Sequence, residues 1–182
     1  MRMVVFLAAL CLLPPALAAP DIRVNGEPAP IISWDDLMPE GYGDSLMDLF
    51  DNPEFDEIDD YSDRGMELMN DMMQVLSSAP VVEDMDGRMV SIPGFVVPLE
   101  GIGGIVRHFF LVPYYGACIH VPPPPSNQII DVHFEPGTHD DNLYEAILVS
   151  GRLTTETYSH DMGSSGYRLE AYSIQPYDFV LP

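Results

Sequence analysis

Across 182 residues the chain carries 29 acidic and 7 basic side chains, a formal net charge of −22, and every one of its bases is an arginine. Such a charge repels phosphate backbones and anionic lipid surfaces, which excludes nucleic acid as the natural partner and leaves cations or basic proteins. With 47% hydrophobic residues there is material for one domain with a real core.

Residues 1–18 read as an export signal. Arg2 supplies the charged end, Val4 to Leu13 the apolar stretch, and Ala16-Leu17-Ala18 the small residues of a cleavage site. The apolar stretch is too short for a membrane span, and the mature chain is expected to hold no transmembrane segment. Leu10 precedes Cys11 where a lipid anchor needs a small residue, which argues against a lipoprotein. Export would leave Cys118 as the sole cysteine in an oxidising compartment. It is then free, metal-bound, paired to another molecule, or buried as a small hydrophobe.

Residues 19–61 read as an acidic, partly ordered arm. Twelve acids and no base fall between positions 35 and 63, interspersed with apolar residues. Trp34-Asp35-Asp36-Leu37 is placed to anchor this arm on the body. No Asp-x-Asp-x-Asp-Gly run with a terminal Glu is present, so a calcium loop is not expected. A flanking amphipathic helix is expected within residues 62–79, over Ser62 to Leu76. There Met66, Met69, Met72, Met73 and Leu76 recur at steps of three and four, and Asp63 suits the helix N-terminus. Thioethers are soft copper(I) ligands, but packing against a sheet is the commoner use of such a stripe.

Residues 80–182 read as β. Val81 to Glu83 suggests a short strand and Asp86-Gly87 a hairpin turn. Arg88 to Leu99 is a long strand bent at Pro93-Gly94. Gly101 to Gly104 is a turn, and Val106 to Val112 the next strand. Gln128 to Phe134 follows, ended by Pro136-Gly137. Tyr144 to Thr155 and Tyr167 to Ile174 come last, separated by a loop over Ser159 to Gly166. Five main strands with one bend predict a mainly β, α+β fold: a small OB-like Greek-key barrel with a flanking helix and an acidic N-terminal arm.

The chemistry concentrates around Cys118 and His120, which precede the run Pro122, Pro123, Pro124 and Pro125. Four prolines have little backbone freedom and cannot donate to a ladder, so they suit a strut that displays its neighbours. Tyr114 and Tyr115 add aromatic surface. Asn127 and Gln128 either tie the loop back through their amides or bind a ligand. Cys118 and His120, two apart on extended chain, point the same way and offer a thiolate and an imidazole to zinc or copper. A third ligand must come from elsewhere, and His108 and His133 are candidates because their strands flank the loop. Asp131 shares a face with His133, opposite Ile130, Val132 and Phe134, and that face is expected to be solvated. As a nucleophile–base pair, Cys118 and His120 lie side by side without the facing hydrogen bond that proton transfer needs. His139-Asp140-Asp141 and His160-Asp161 suit solvated turns better than cation sites.

The segments Ile92-Pro93-Gly94-Phe95-Val96-Val97-Pro98-Leu99-Glu100 and Phe110-Leu111-Val112-Pro113-Tyr114-Tyr115-Gly116-Ala117-Cys118-Ile119-His120-Val121-Pro122-Pro123-Pro124-Pro125-Ser126-Asn127-Gln128 resemble the exported bacterial proteins of domain of unknown function family 3299. Trp34-Asp35-Asp36-Leu37-Met38-Pro39 and Val149-Ser150-Gly151-Arg152-Leu153 resemble it too. The resemblance implies a Gram-negative envelope protein in the periplasm, with an accessory role in envelope transport or metal homeostasis and no established catalytic activity. The expectation is a non-enzymatic accessory protein that presents the Cys118–Gln128 loop to a partner such as an ABC-type transporter subunit. The alternatives are a zinc- or copper-binding protein using Cys118 and His120, and a thiol redox protein or enzyme.

Overall fold

The computed structural model describes residues 21–51, 62–117, 123–139 and 145–178. Residues 1–18, expected to be an export signal, the acidic stretch 52–61 and Cys118, His120 and Pro122 lie outside them. In chain order the elements are β1 (Arg23–Val24), β2 (Glu27–Pro28), α1 (Tyr42–Phe50), α2 (Asp63–Ser77), β3 (Met89–Ile102), β4 (Ile105–Val112), β5 (Ile130–His139), β6 (Ile147–Thr154), β7 (Tyr158–His160), β8 (Gly163–Ser165) and β9 (Tyr167–Pro176). No helix among the described residues is long and apolar enough to cross a membrane.

Five of the strands close into a barrel in the order β3-β4-β5-β9-β6, with β6 back on β3. Every pairing is antiparallel except that of β5 with β9. Counting barrel strands alone, this is the first-second-third-fifth-fourth circuit of an OB-type Greek key, as the sequence predicts. The bend at Pro93-Gly94 is the point where β3 changes partners. Met89 to Gly94 pair with β6, and Phe95 onward pairs with β4. A Cβ on Gly94 would stand 2.8 Å from both Leu111 Cγ and the Val112 carbonyl oxygen, so only glycine permits this crossing.

Alternation along the strands fills the interior. Val90, Ile92, Phe109, Leu111, Ile130, Val132, Val149, Leu153 and Leu169 belong to one fully buried cluster. Each such side chain contributes about 1.5–3 kcal/mol relative to an exposed one. A second cluster joins Val97, Phe110, Val112, Ala117 and Ile129, with Tyr158 and Met162 packed against it. Phe110 and Val112 alternate with the interior residues Phe109 and Leu111, so this cluster lies on the outer face, under the hairpin β7–β8. That hairpin occupies the segment Ser159 to Gly166, which the sequence presents as a loop.

The N-terminal segment is bolted to the barrel where the sequence suggests. Trp34 Nε1 donates to the Pro93 carbonyl at 2.8 Å, Leu37 is fully buried, and the Tyr167 hydroxyl donates to the Leu37 carbonyl at 2.9 Å. Besides that hairpin, three expectations change. Val81 to Glu83 forms no strand: a 3-10 turn spans Glu83–Met85, and the Val82 N–H donates to the Tyr167 hydroxyl instead. β5 runs on through Pro136-Gly137 to His139. α2 is capped by the Ser62 side chain, which accepts from the Gly65 N–H, but its methionine stripe is only partly used. Met72 and Leu76 are buried, whereas Met66 and Met69 are exposed, because the helix docks by its C-terminal half.

Candidate metal centre

The outer face of β4, β5 and β9 carries a cluster of titratable side chains. His108 on β4 and His133 on β5 are direct cross-strand partners, and their rings stack with centroids 4.4 Å apart. An irregularity in the β4–β5 register between Val106 and His108 sets this alignment. Asp131 lies two residues before His133 on the same face. Its Oδ1 is 2.7 Å from His108 Nε2, and its Oδ2 is 3.1 Å from His133 Nε2. The parallel neighbour β9 places Arg168 opposite Asp131, and Arg168 Nε donates to Oδ2 at 3.0 Å. Arg168 Nη1 in turn donates to Glu156 at 2.5 Å.

This face is not solvated at Asp131, contrary to expectation. The Asp131 side chain is fully buried, His108 is 12% exposed and His133 37% exposed. Strand alternation correctly points Asp131 outward, but other groups then cover it. The two imidazoles and the Arg168 guanidinium surround the carboxylate, and Tyr158 from the β7–β8 hairpin packs on His108 with centroids 5.3 Å apart. A buried carboxylate is tolerated only when it is paired and hydrogen-bonded, and here three donors meet it.

His108, Asp131 and His133 each offer one ligand atom, and these atoms lie within 4.8 Å of one another. Two imidazole nitrogens and a carboxylate oxygen form a donor set for zinc and other divalent transition ions. Tetrahedral zinc with ligands at about 2.0–2.1 Å needs donor spacings of about 3.4 Å. The 2.7 Å contact of Asp131 Oδ1 with His108 Nε2 therefore has to open by less than an ångström, and the ligand atoms of the three residues, within 4.8 Å of one another, have to draw in to the same spacing. An ion here replaces the imidazole protons that now bridge to the carboxylate. Nε2 ligation would leave the proton of His108 on Nδ1, and the exposed Glu100 carboxylate stands 3.9 Å from that nitrogen, beyond hydrogen-bond distance. Solvent reaches the cluster on the His133 side, which leaves room for a further ligand.

The remaining sequence candidates are placed as follows. Tyr114 and Tyr115 are exposed, on a turn that Gly116 permits with φ of +83°. Pro123 and Pro124 line a cavity of about 240 Å³ together with Met73, His160, Asp161 and Met162. Pro125 precedes a buried 3-10 turn, Ser126–Gln128. Asn127 and Gln128 are therefore not displayed to a partner. The Asn127 amide donates to the Pro80 carbonyl at 2.8 Å and the Gln128 amide to the Trp34 carbonyl at 2.9 Å, so both tie the loop to the body. His160 sits in the hairpin, where its Nδ1 accepts from the Met162 N–H. Glu100, Glu156, Tyr158 and Arg168 have no signal as site residues in the sequence. Glu100 reaches His108 across the β3–β4 pairing, Tyr158 comes from the β7–β8 hairpin, and Arg168, with Glu156 behind it, meets Asp131 through the parallel β5–β9 pairing.

The model of a family described as proteins of unknown function (DUF3299) matches residues 34–176. The chain is similar to the crystal structure of a DUF3299 family protein from Pseudomonas aeruginosa PAO1. The two share 36% identity, the match covers 83% of this chain and 98% of that one, and the TM-score is 0.63. No curated protein matches the chain.

Proposed function

The chain belongs to the DUF3299 family of proteins of unknown function, and from that premise we propose that it is an exported, non-enzymatic binding protein whose ligand is a divalent transition-metal ion, zinc being the best chemical match. The convergence of His108 Nε2, His133 Nε2 and the buried Asp131 carboxylate carries this reading. It keeps two of the four metal ligands expected from sequence, His108 and His133, and takes Asp131 rather than Cys118 and His120 as the third group. The net charge of −22 favours attraction of cations in general, but a surface field alone does not select among them. The compartment in this reading is the periplasm, supported by the signal-like first 18 residues. The partner it implies is a subunit of an ABC-type envelope transporter, which the family resemblance suggests.

Calorimetric titration of the reduced mature protein with zinc tests the assignment. Micromolar or tighter binding that disappears in His108→Ala and survives in Cys118→Ser supports it. Loss in Cys118→Ser with retention in His108→Ala moves the ion to the proline loop. Equal weak binding in all three proteins assigns zinc to the acidic surface and ends the proposal.

A second reading is favoured by the exposure of Tyr114 and Tyr115, 49% and 55%, beside the proline run. Aromatic side chains held on a constrained turn suit a protein-docking edge. Replacing both by serine should weaken capture of an envelope partner in pull-downs, and unchanged capture rejects the idea.

A further inference from the structure

We propose that Arg168 is a positioning residue that fixes Asp131 as a one-oxygen metal ligand and so biases the centre toward four-coordinate, zinc-like ions; this rests on the metal reading above. Asp131 Oδ1 faces His108 alone, whereas Oδ2 faces both His133 and Arg168. The imidazole donors to the carboxylate are lost when the nitrogens ligate an ion, because a ligating nitrogen carries no proton. The guanidinium donor is not lost, because arginine stays protonated. Arg168 is thus the donor that remains on Oδ2 in the loaded site.

Its grip is set from both ends. The β5–β9 pairing holds Arg168 opposite Asp131, and Glu156, just before β7, accepts from the other arm of the fork. Asp131 is fully buried, so water does not stand in for Arg168. Turning both carboxylate oxygens onto an ion would give up a charge-assisted hydrogen bond. Ions that favour bidentate carboxylates and six to eight oxygen ligands, calcium above all, are thereby disfavoured. Ions content with one carboxylate oxygen and two imidazoles are favoured. Such orientation by an outer partner is typically worth ten- to a hundredfold in metal affinity.

The test uses cobalt(II) as a spectroscopic stand-in for zinc, with the intact mature chain and Arg168→Gln. The intact protein should give the intense visible bands of four-coordinate cobalt. Arg168→Gln should give the weaker bands of higher coordination, bind zinc roughly ten- to a hundredfold less tightly, and discriminate less against calcium. Glu156→Gln, which keeps Arg168 but frees one arm, should shift the same readouts in the same direction and by less; it serves if Arg168→Gln does not fold. An unchanged spectrum in Arg168→Gln, or zinc affinity that stays level or rises, overturns the proposal and leaves Arg168 as a counter-charge to Asp131. If the intact protein binds neither cobalt nor zinc, the metal reading itself falls, an outcome distinct from a failure confined to the variants.

Discussion

Replacing Asp131 by asparagine separates the structural work of this carboxylate from its work as a ligand. In the metal-free protein Asp131 accepts from His108, His133 and Arg168, all charge-assisted or capable of it. The asparagine oxygen can take the place of Oδ2 toward His133 and Arg168, while its NH2 donates to His108 Nε2 with that ring's proton on Nδ1; hydrogen bonds to a charged group contribute about 1.5–3 kcal/mol and neutral ones about 0.5–1.5, so each of the three loses about 1 kcal/mol on substitution. Burying an amide costs less than burying a carboxylate, which offsets part of that sum. Arg168 also keeps Glu156 and partial exposure, so no charge is stranded. The net loss should be about 2 kcal/mol, a fall in melting temperature of roughly 4–8 °C for a domain of this size. Zinc then changes the comparison. At a free concentration one hundred times its dissociation constant, a ligand that binds only the folded state stabilises it by about 2.7 kcal/mol. The intact protein should gain that amount and Asp131→Asn little of it, so the gap widens from about 2 to about 5 kcal/mol. Calorimetric melting with and without zinc, at matched ionic strength, measures both gaps. A variant as stable as the parent without zinc refutes the argument that the network satisfies a buried carboxylate. An equal gap in both conditions refutes the ligand role.

Tyr167→Phe should cost about 2–4 kcal/mol in chemical denaturation, because the Val82 N–H and the Leu37 carbonyl each lose a partner in a place poor in water; a loss below 1 kcal/mol would contradict the bolt assigned to this hydroxyl. Gly151→Ala would drive a Cβ into the Glu170 carbonyl oxygen at the β6–β9 register shift, so a loss of about 3 kcal/mol or failure to fold is expected, and a normal melting curve would argue against that close approach. The Asp36 carboxyl is held below its ordinary range chiefly by the Ser33 N–H and then by the Ser33 hydroxyl. A lowered folded value means its stabilisation is present above the unfolded value near 4 and lost as pH falls through the folded one. Asp36→Asn should therefore lose stability relative to the parent at pH 6 and converge with it as acid protonates the folded carboxyl; a constant difference would show that the contribution is not electrostatic.

The barrel is legible in the sequence because its strands carry their own signals. Alternation fixes the inward sets Phe109 and Leu111, and Ile130 and Val132, while Pro93-Gly94 marks the place where one strand must serve two neighbours. His108 and His133 are also reachable, as histidines on strands that flank the proline loop. The hairpin β7–β8 is not, because Tyr158 to Ser165 is short, polar and rich in glycine and serine, the composition of a loop. Arg168 is invisible for a different reason: its strand lies beside β5 only because the barrel closes with a parallel pairing that chain order does not announce.

The error over Asp131 has a physical lesson for barrels of this type. Outward direction and solvation are separate properties. Alternation determines the first, and the packing of other elements determines the second. On β4 and β5 the outer face runs from Phe110, buried under Tyr158 and Met162, to His133, open to solvent. Asp131 and His108 lie between those limits. At that boundary a carboxylate is desolvated enough to demand partners, yet one side of the cluster still reaches water. A fully dry site would bar an ion from entering, and a fully wet one would hold its ligands too loosely to converge. The hairpin that the sequence presents as a loop is what creates this boundary. Removing its contact with Tyr158→Ala should therefore loosen metal binding without touching a ligand atom. Binding that is unchanged in that variant, with the fold intact, would show that the strands and Arg168 alone hold the cluster together.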